Sequence, residues 1–588
     1  MMTQKRSLVE TPMDRRRLLG LGVVAAAAPA AVTLVTAERA HGAESAQAAQ
    51  TANPHQDLED ASIADLQAAM TAGRLTSLQL VRRYLDRIQA LDNRGPRVNS
   101  VLELNRDAES IARQLDQERR QGRVRGPLHG IPMLIKGNID TADRMTTTAG
   151  SLALVGAAPA QDATVADRLR TAGVVILGKA NLSEWANFRS FHSASGWSGQ
   201  GGLTRNPYVV DRNPCGSSSG SGAAVAAAFA AASLGTETDG SIVCPSNANG
   251  VVGIKPTVGL TSRAGVVPIA SSQDTVGPHG KTVADAAAVL GVLTGVDPRD
   301  PATAASDGKF QTSYTQFLNP QGLQGARIGV MRDGVTGYSE EVDRVYESSL
   351  QTMAAAGATL VDPADLPTMA DISTGAAEIT VLVYEFKRDL NAYLATRTGV
   401  PIQTLADAIA FNVANADREL RWFLQEWFDL VESDPFDQAT YLAALTEARR
   451  LGGTDGIDAV LSANKLDALV APTGSPAWPN DLVNGDHFLG ASSSPAAIAG
   501  YPIINVPCGD AFGLPLGISF IGTAWSEPTL IKLASGFEAV RRARRKPQFL
   551  PTLPIETLGG QLRIAGSRAE TRRASMPRVV GNPVAGRL

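Results

Sequence analysis

Cys215-Gly216-Ser217-Ser218-Ser219-Gly220-Ser221-Gly222 opens the stretch that decides the fold. It runs into the Ala-rich segment 223–233, then into Gly235-Thr236-Glu237-Thr238-Asp239-Gly240-Ser241-Ile242. Alanine has the highest intrinsic helix propensity, so residues 223–233 are expected to form a helix whose small side chains permit very close packing. A glycine-serine loop that feeds a helix directs backbone N–H groups into a cavity. Gly240-Ser241 follows a turn of small residues, where a second set of amides gathers beside the Ser241 hydroxyl.

Upstream, Gly126-Pro127-Leu128-His129-Gly130-Ile131-Pro132 is a turn-rich approach to a short apolar strand, Met133 to Ile135, which ends at Lys136. A lysine at the end of an apolar strand is partly desolvated, which lowers its pKa, and a neutral amine is a usable base. Taken singly these features are ordinary. A lysine after a strand is usually a solvated end-cap, and a serine in a glycine-rich turn usually bonds backbone.

Further strand-like runs are Val174 to Leu177, Arg327 to Met331, Ala468 to Ala471, Ile503 to Val506 and Leu516 to Ile521. Helices are expected over Asp57 to Met70, over Ser77 to Leu91 with Thr76 or Ser77 as cap, and over Asp162 to Ala172. Strands alternating with helices argue for an α/β fold around a mixed sheet. Residues 187–222 are rich in Gly, Ser and Asn, and a long stretch of that kind inside a domain is usually functional. Residues 300–460 hold Tyr384, Phe386, Tyr393, Trp422, Phe423, Trp427 and Phe428. They read as a helical cap over a cleft, or as ordinary core. From Gly559 to Leu588 the chain is Arg- and Gly-rich and reads as a disordered tail.

Composition narrows the function classes. The 588 residues carry 54 Lys and Arg against 58 Asp and Glu, a net charge of −4, so no general electrostatic grip on nucleic acid is expected. Hydrophobic residues at 44% and charged residues at 19% suit a large buried core. The three cysteines, Cys215, Cys244 and Cys508, allow at most one disulfide, and whether Cys215 and Cys244 pair stays open.

Residues 1–48 read as an address. Arg15-Arg16-Arg17 precedes a weakly apolar, Ala-rich run to Ala37, the pattern of a twin-arginine (Tat) leader. Ala46-Gln47-Ala48 offers a cleavage site, and Ala40-His41-Gly42 a looser one. Leu18 to Ala37 is long enough for a membrane anchor, but its Ala content and Pro29 favour a cleaved leader. The expectation is an exported protein, secreted or in the periplasm or cell envelope, with no membrane association after cleavage.

Three motifs mislead. Gly216-Ser217-Ser218-Ser219-Gly220 fits the G-x-S-x-G nucleophile elbow, but Asp211-Arg212-Asn213-Pro214-Cys215 before it is not a strand. Gly173 to Ala180 nearly fits a phosphate-binding loop, but Ala180 replaces the required hydroxyl. The six histidines have no metal-ligand spacing, so no metal is expected.

In this order, the lysine strand, the Gly/Ser loop, the G-T-x-x-x-G-S-I turn and Gly253-Ile254-Lys255-Pro256-Thr257 resemble the amidase signature family. The resemblance spans residues 57–550 as a single domain and is densest from 126 to 280. Within the family the chain looks most like the bacterial peptide amidases, through Asn187-Phe188-Arg189-Ser190, Ser195-Gly196-Trp197-Ser198-Gly199 and Arg212 to Gly220. It departs from the commoner family pattern at three positions: Glu237 stands for Asp, Asp239 for Gly, and Val243 for Arg.

The resemblance implies an amidase-signature fold, with a central mixed, twisted sheet flanked by helices on both sides and a helical cap region. It also implies a Ser-cisSer-Lys triad. Ser241 is the nucleophile, Ser217 the bridging serine after an unusual cis peptide, and Lys136 the base. Backbone N–H groups of Thr238, Asp239, Gly240 and Ser241 form the oxyanion hole, with Ser218 in support. Trp197, Asp239 and Tyr384 (with Glu385) are candidates for shaping the substrate cleft. No metal or organic cofactor is implied.

The implied reaction is hydrolysis of the C-terminal carboxamide of a peptide to the free acid and ammonia, through an acyl-enzyme. A broader carboxylic-amide hydrolase is the alternative within the family. A tRNA-amidotransferase subunit fits less well, because export separates it from charged tRNA, and no obligate protein partner is expected. From other classes, a catalytically silent binding protein on the same scaffold and an esterase using Ser218 with a histidine stay open.

Overall fold

Eleven strands form one mixed sheet. In chain order they and a small ribbon are β1 (Val101–Leu104), β2 (Pro132–Lys136), β3 (Val175–Ala180), the ribbon β4 (Trp197–Ser198) and β5 (Gly202–Leu203), β6 (Ala232–Glu237), β7 (Val252–Lys255), β8 (Thr275–Gly280), β9 (Arg327–Val330), β10 (Thr359–Val361), β11 (Ala468–Pro472), β12 (Ile503–Ala511) and β13 (Leu514–Ile521). The order across the sheet is β1-β3-β2-β6-β8-β7-β12-β13-β11-β9-β10. Strands β3, β2 and β6 run parallel, as do β11, β9 and β10, and the pairs between and around them are antiparallel. This computed structural model describes residues 56–554 and the hairpin β14 (Glu556–Leu558) and β15 (Gln561–Arg563). The expected leader over 1–48 lies outside the described residues, as does the expected disordered tail over 559–588 apart from Gln561–Arg563, which pairs as β15.

The expected strands are all present, and helices flank the sheet. Asp57 to Met70 divides into Gln56–Asp60 and Ile63–Thr71, because Ser62 starts a new helix with a reciprocal cap to Asp65. Thr76 caps Ser77–Arg87 in the same way, with Gln79 returning the bond.

One expectation is corrected. Residues 223–233 are not a single helix. The helix spans Ser219–Ala226, Ala228 takes a positive φ of 55°, and Ala232–Glu237 becomes the central strand β6. Two flanking ladders, to β2 and β8, and complete burial outweigh alanine's local helix preference.

Residues 300–460 combine helices with the strands β9 and β10, which form one edge of the sheet. Their helices from Ala376 to Glu432 bury Phe386, Tyr393 and Phe428 against Ala153, Leu154, Trp185, Phe188 and Ile269. A second cluster joins Met133, Ile135 and Ile176 to the N-terminal helices, and a third joins Ile504, Ile518 and Phe520 to the helices Glu340–Ala355 and Glu527–Arg541. Among the described residues, no helix is long and apolar enough to cross a membrane.

Candidate active site

Parallel pairing of β2 with β6 (Met133 opposite Ala232, Ile135 opposite Leu234) brings their C-terminal ends side by side. Lys136 therefore meets Thr236. Its Nζ lies 2.8 Å from Thr236 Oγ1, 3.2 Å from the Thr236 carbonyl and 2.8 Å from Ser217 Oγ. Asn138 Nδ2 also donates to Thr236 Oγ1, at 3.0 Å. Lys136 and Ser217 are completely buried. Burial pushes the Lys136 amine down to about 7, against the opposing pull of the Asp274 and Glu237 carboxylates.

Ser217 follows a cis peptide from Gly216. A Cβ at Gly216 would fall 2.2 Å from Ser183 Oγ, so any larger residue would have to displace that hydroxyl. The Ser217 carbonyl accepts from Ser183 N at 3.0 Å. Cys215 and Cys244 form a disulfide, which ties this loop to the helix Val243–Ala248 beyond Ser241. Cys508 is the free, buried thiol.

The turn after β6 is held from several sides. Glu237 accepts from Ile242 N at 2.6 Å and Val243 N at 3.0 Å. Thr238 Oγ1 donates to Asp274 at 2.6 Å, and Ser494 Oγ donates to Asp239 at 2.7 Å beside a second bond from Ser493 Oγ. Gly240 takes a positive φ of 77°, which glycine adopts without a steric penalty. So fixed, the amides of Thr238, Asp239, Gly240 and Ser241 donate no hydrogen bond to any described residue. Four consecutive free N–H groups at one turn are able to donate to an anion or a developing oxyanion.

Ser241 is slightly accessible, at 8%. Its carbonyl accepts from Ser218 N at 3.2 Å, which docks it onto the serine loop. Its hydroxyl makes no hydrogen bond in this geometry, so Lys136 and Ser217 are joined while Ser241 Oγ is not yet linked to them. Ser218 is buried, donates to the Thr236 carbonyl at 3.0 Å and accepts from Thr236 N at 3.2 Å. Coil precedes it, unlike a nucleophile elbow. Buried His279 contacts the Ile242 carbonyl at 3.2 Å and is driven down to about 3 by burial.

A cavity of about 310 Å³ adjoins Gly216 and Gly240 and is lined also by Asp239, Val243, Trp478, Asp486 and Phe488. Asp239 thus sits where substrate contact is expected. Trp197 and Tyr384 do not line this cavity. Trp197 packs edge-on to Phe423 at 5.1 Å, and Tyr384 stacks on Tyr441 at 4.2 Å. Glu385 accepts from Tyr441 Oη and Ser272 N. A larger cavity, about 690 Å³, includes Arg263 and Asp140, but Arg263 pairs with Asp300 and Asp140 with Arg397 at 3.7 Å, so these charges are paired within its wall. Among the described residues no group of three His, Cys, Asp or Glu forms a metal-binding cluster.

Sequence reading missed Asn138, Asp274, Ser493 and Ser494 as supports of the site. They lie far from the turn in the chain, and none belongs to a motif with a local signature.

The amidase family model matches residues 79–531. This chain belongs to the amidase family. The amidase is similar to a probable amidase of Arabidopsis thaliana, 43% identical over 501 residues covering 84% of this chain and 92% of the relative. It is also similar to the solved peptide amidase of Stenotrophomonas maltophilia, with 52% identity, a TM-score of 0.80, and 84% of this chain and 100% of that one covered. A peptide amidase solved with the competitive inhibitor chymostatin is 53% identical, with a TM-score of 0.80 and 83% and 99% coverage. The amidase is therefore a hydrolase of amide C–N bonds on an amidase-signature fold.

Proposed function

We propose that the amidase hydrolyses the C-terminal carboxamide of peptides, with Ser241 as nucleophile, Ser217 as relay and Lys136 as base. The observation that carries this reading is the buried Lys136 amine, 2.8 Å from Ser217 Oγ and beside a turn with four free amides. A neutral amine has two N–H donors and one lone pair. Thr236 offers the carbonyl and the hydroxyl oxygen as acceptors, which leaves the lone pair for the Ser217 proton.

The relay closes when Ser241 Oγ comes within hydrogen-bond reach of Ser217 Oγ. Lys136 then takes the Ser217 proton as Ser217 takes that of Ser241, and Ser241 Oγ bonds to the amide carbon. The amides of residues 238–241 receive the oxyanion. Removing one such donor costs about 3–4 kcal/mol in a comparable site. The proton returns through Ser217 to the departing nitrogen, ammonia leaves, and water entering by the same relay releases the acid. Ser218 holds Thr236, and so the lysine, in place. The reaction as written needs no metal or organic cofactor.

The peptide amide is favoured as substrate by the two similar solved chains that are peptide amidases, one of which binds chymostatin. Ammonia release across amino-acid, peptide, aryl and long-chain amides tests this. Preference for a long-chain or aryl amide overturns it in favour of the broader hydrolase. Ser241→Ala should lower turnover at least about 1,000-fold while the protein stays folded. A fluorophosphonate should label Ser241. Labelling at Ser218 would support the esterase, and no labelling of folded protein a silent binder.

We also propose Tat export with cleavage of the leader after Ala48 or Gly42. The Cys215–Cys244 disulfide supports this, since such bonds persist in oxidising compartments. Outside the cytoplasm the enzyme would work without nucleic acid, a membrane or an obligate partner chain. N-terminal sequencing of the native protein decides it. An intact leader on cytosolic protein would end the proposal.

A further inference from the structure

Asp239 and Val243 flank the Gly240-Ser241-Ile242 turn. Both line the cavity beside Gly240. Asp239 puts a carboxylate on its wall. Asp239 is half-buried, and its oxygens accept from the neutral hydroxyls of Ser493 and Ser494. Asp486, across the lining, is likewise held by neutral groups: Ser195 N at 3.0 Å, Trp478 Nε1 at 3.0 Å and Asn213 Nδ2 at 3.3 Å. No Lys, Arg or His lines the cavity. Lys255 is a buried amine within the field of Asp239, but it spends its donors on the carbonyls of Ala496 and Tyr501. Glu378, on the helix Ala376–Leu394, adds a third carboxyl group near Asp239 and accepts from Gln273 Nε2 at 2.8 Å. Neutral polar side chains, among them Asn187 and Thr473, share the rest of the wall with Val243, the disulfide, Trp478, and Phe488 edge-on to Trp478 at 5.6 Å.

We propose that Asp239 is a specificity-determining residue, which closes this cavity to a carboxylate-bearing C-terminal residue and leaves it open to neutral and cationic ones. This rests on the peptide-amide reading above. Two like charges about 6 Å apart in a partly desolvated site repel by roughly a hundredfold in a binding constant. A neutral residue of the same size pays nothing of that kind, and a cation gains. Trp478 and Phe488 supply contact for the aliphatic part of either.

The test compares kcat/KM for N-acylated dipeptide amides ending in Gln, Glu, the γ-carboxyl methyl ester of Glu (γ-methyl-Glu) and Lys at neutral pH. The wild-type enzyme should use the Gln, γ-methyl-Glu and Lys amides at least about tenfold better than the Glu amide. Asp239→Asn should narrow the Gln-to-Glu ratio about tenfold, whatever it does to absolute turnover. Asp239→Ser serves if the asparagine variant does not fold. Equal use of Gln and Glu amides by wild type overturns the proposal without any variant. So does a γ-methyl-Glu amide as slow as the Glu amide, which would make hydrogen bonding by the Gln side-chain amide, and not charge, the cause. A ratio unchanged in both variants takes the role from Asp239. If wild type releases no ammonia from the Gln amide but hydrolyses a simple aliphatic amide, the peptide-amide reading itself fails and this inference falls with it.

Discussion

Lys136 Nζ and Thr236 Oγ1 lie 2.8 Å apart because parallel strands β2 and β6 end at the same level of the sheet. The contact fixes the amine from one side and leaves Ser217 on the other. A lysine buried this way, bonded to the neutral oxygens of Thr236 and Ser217, holds its proton far less tightly than an exposed one and is neutral in a large share of molecules near pH 7.

The pH profile follows. kcat/KM should rise with pH through about 7, as Lys136 loses its proton and becomes able to accept one. Stability moves in the same direction. The folded-state pKa is below the ordinary lysine value of 10.5, so burying the charged amine costs the folded protein most below about 7, and the cost fades as pH rises toward 10.5. Lys136→Met removes that cost. Its stability relative to wild type should therefore be greatest near pH 6 and decline toward pH 10, measured by urea unfolding across pH. A difference independent of pH would mean that the amine is not buried neutral.

Glu237 shapes the turn without entering it. Its carboxylate binds the amides of Ile242 and Val243, so the four amides before them stay free for a ligand. Glu237→Ala should lower kcat by roughly 100-fold, about the worth of one misdirected oxyanion donor, while KM changes little. It also leaves buried donors unpaired, at about 1–3 kcal/mol each. Steady-state kinetics beside a melting curve separate the two effects. A loss confined to stability would mean the turn keeps its shape unaided.

The disulfide closes a segment with a sequence separation of 29 between Cys215 and Cys244. Chain-entropy arguments give such a link roughly 3–4 kcal/mol. Its loss frees the serine loop from the helix after Ser241, so the active geometry should go first. The Cys215→Ser/Cys244→Ser double variant should lose half its activity on heating at a lower temperature than it loses its global fold by circular dichroism. Coincidence of the two midpoints would show the link serving the whole fold and not the site.

Much of this was legible early. Short apolar runs bounded by Gly and Pro gave away β2, β3, β9, β11, β12 and β13, because buried strands need continuous apolar faces. Strand β6 was hidden. Ala232-Ser233-Leu234-Gly235-Thr236-Glu237 has few β-branched or aromatic residues, and its narrow side chains are chosen for tight cover on both faces. The Cys215–Cys244 pairing could not be read from three cysteines, since it depends on which loops meet. Trp197 and Tyr384 looked available for substrate, yet aromatic partners far along the chain, Phe423 and Tyr441, occupy them.

The linear chain by itself determined the chemistry on offer: a lysine closing an apolar strand, a run of serines held in glycine, and a turn too small to cover its own amides. These are local properties, set by residue type and spacing. Only the tertiary structure decided their use. Desolvation of Lys136, the freedom of the four amides and the charge on the cavity wall depend on atoms from strands, loops and helices hundreds of residues apart. Burial and electrostatic field are sums over neighbours in space, and sequence order alone does not contain them.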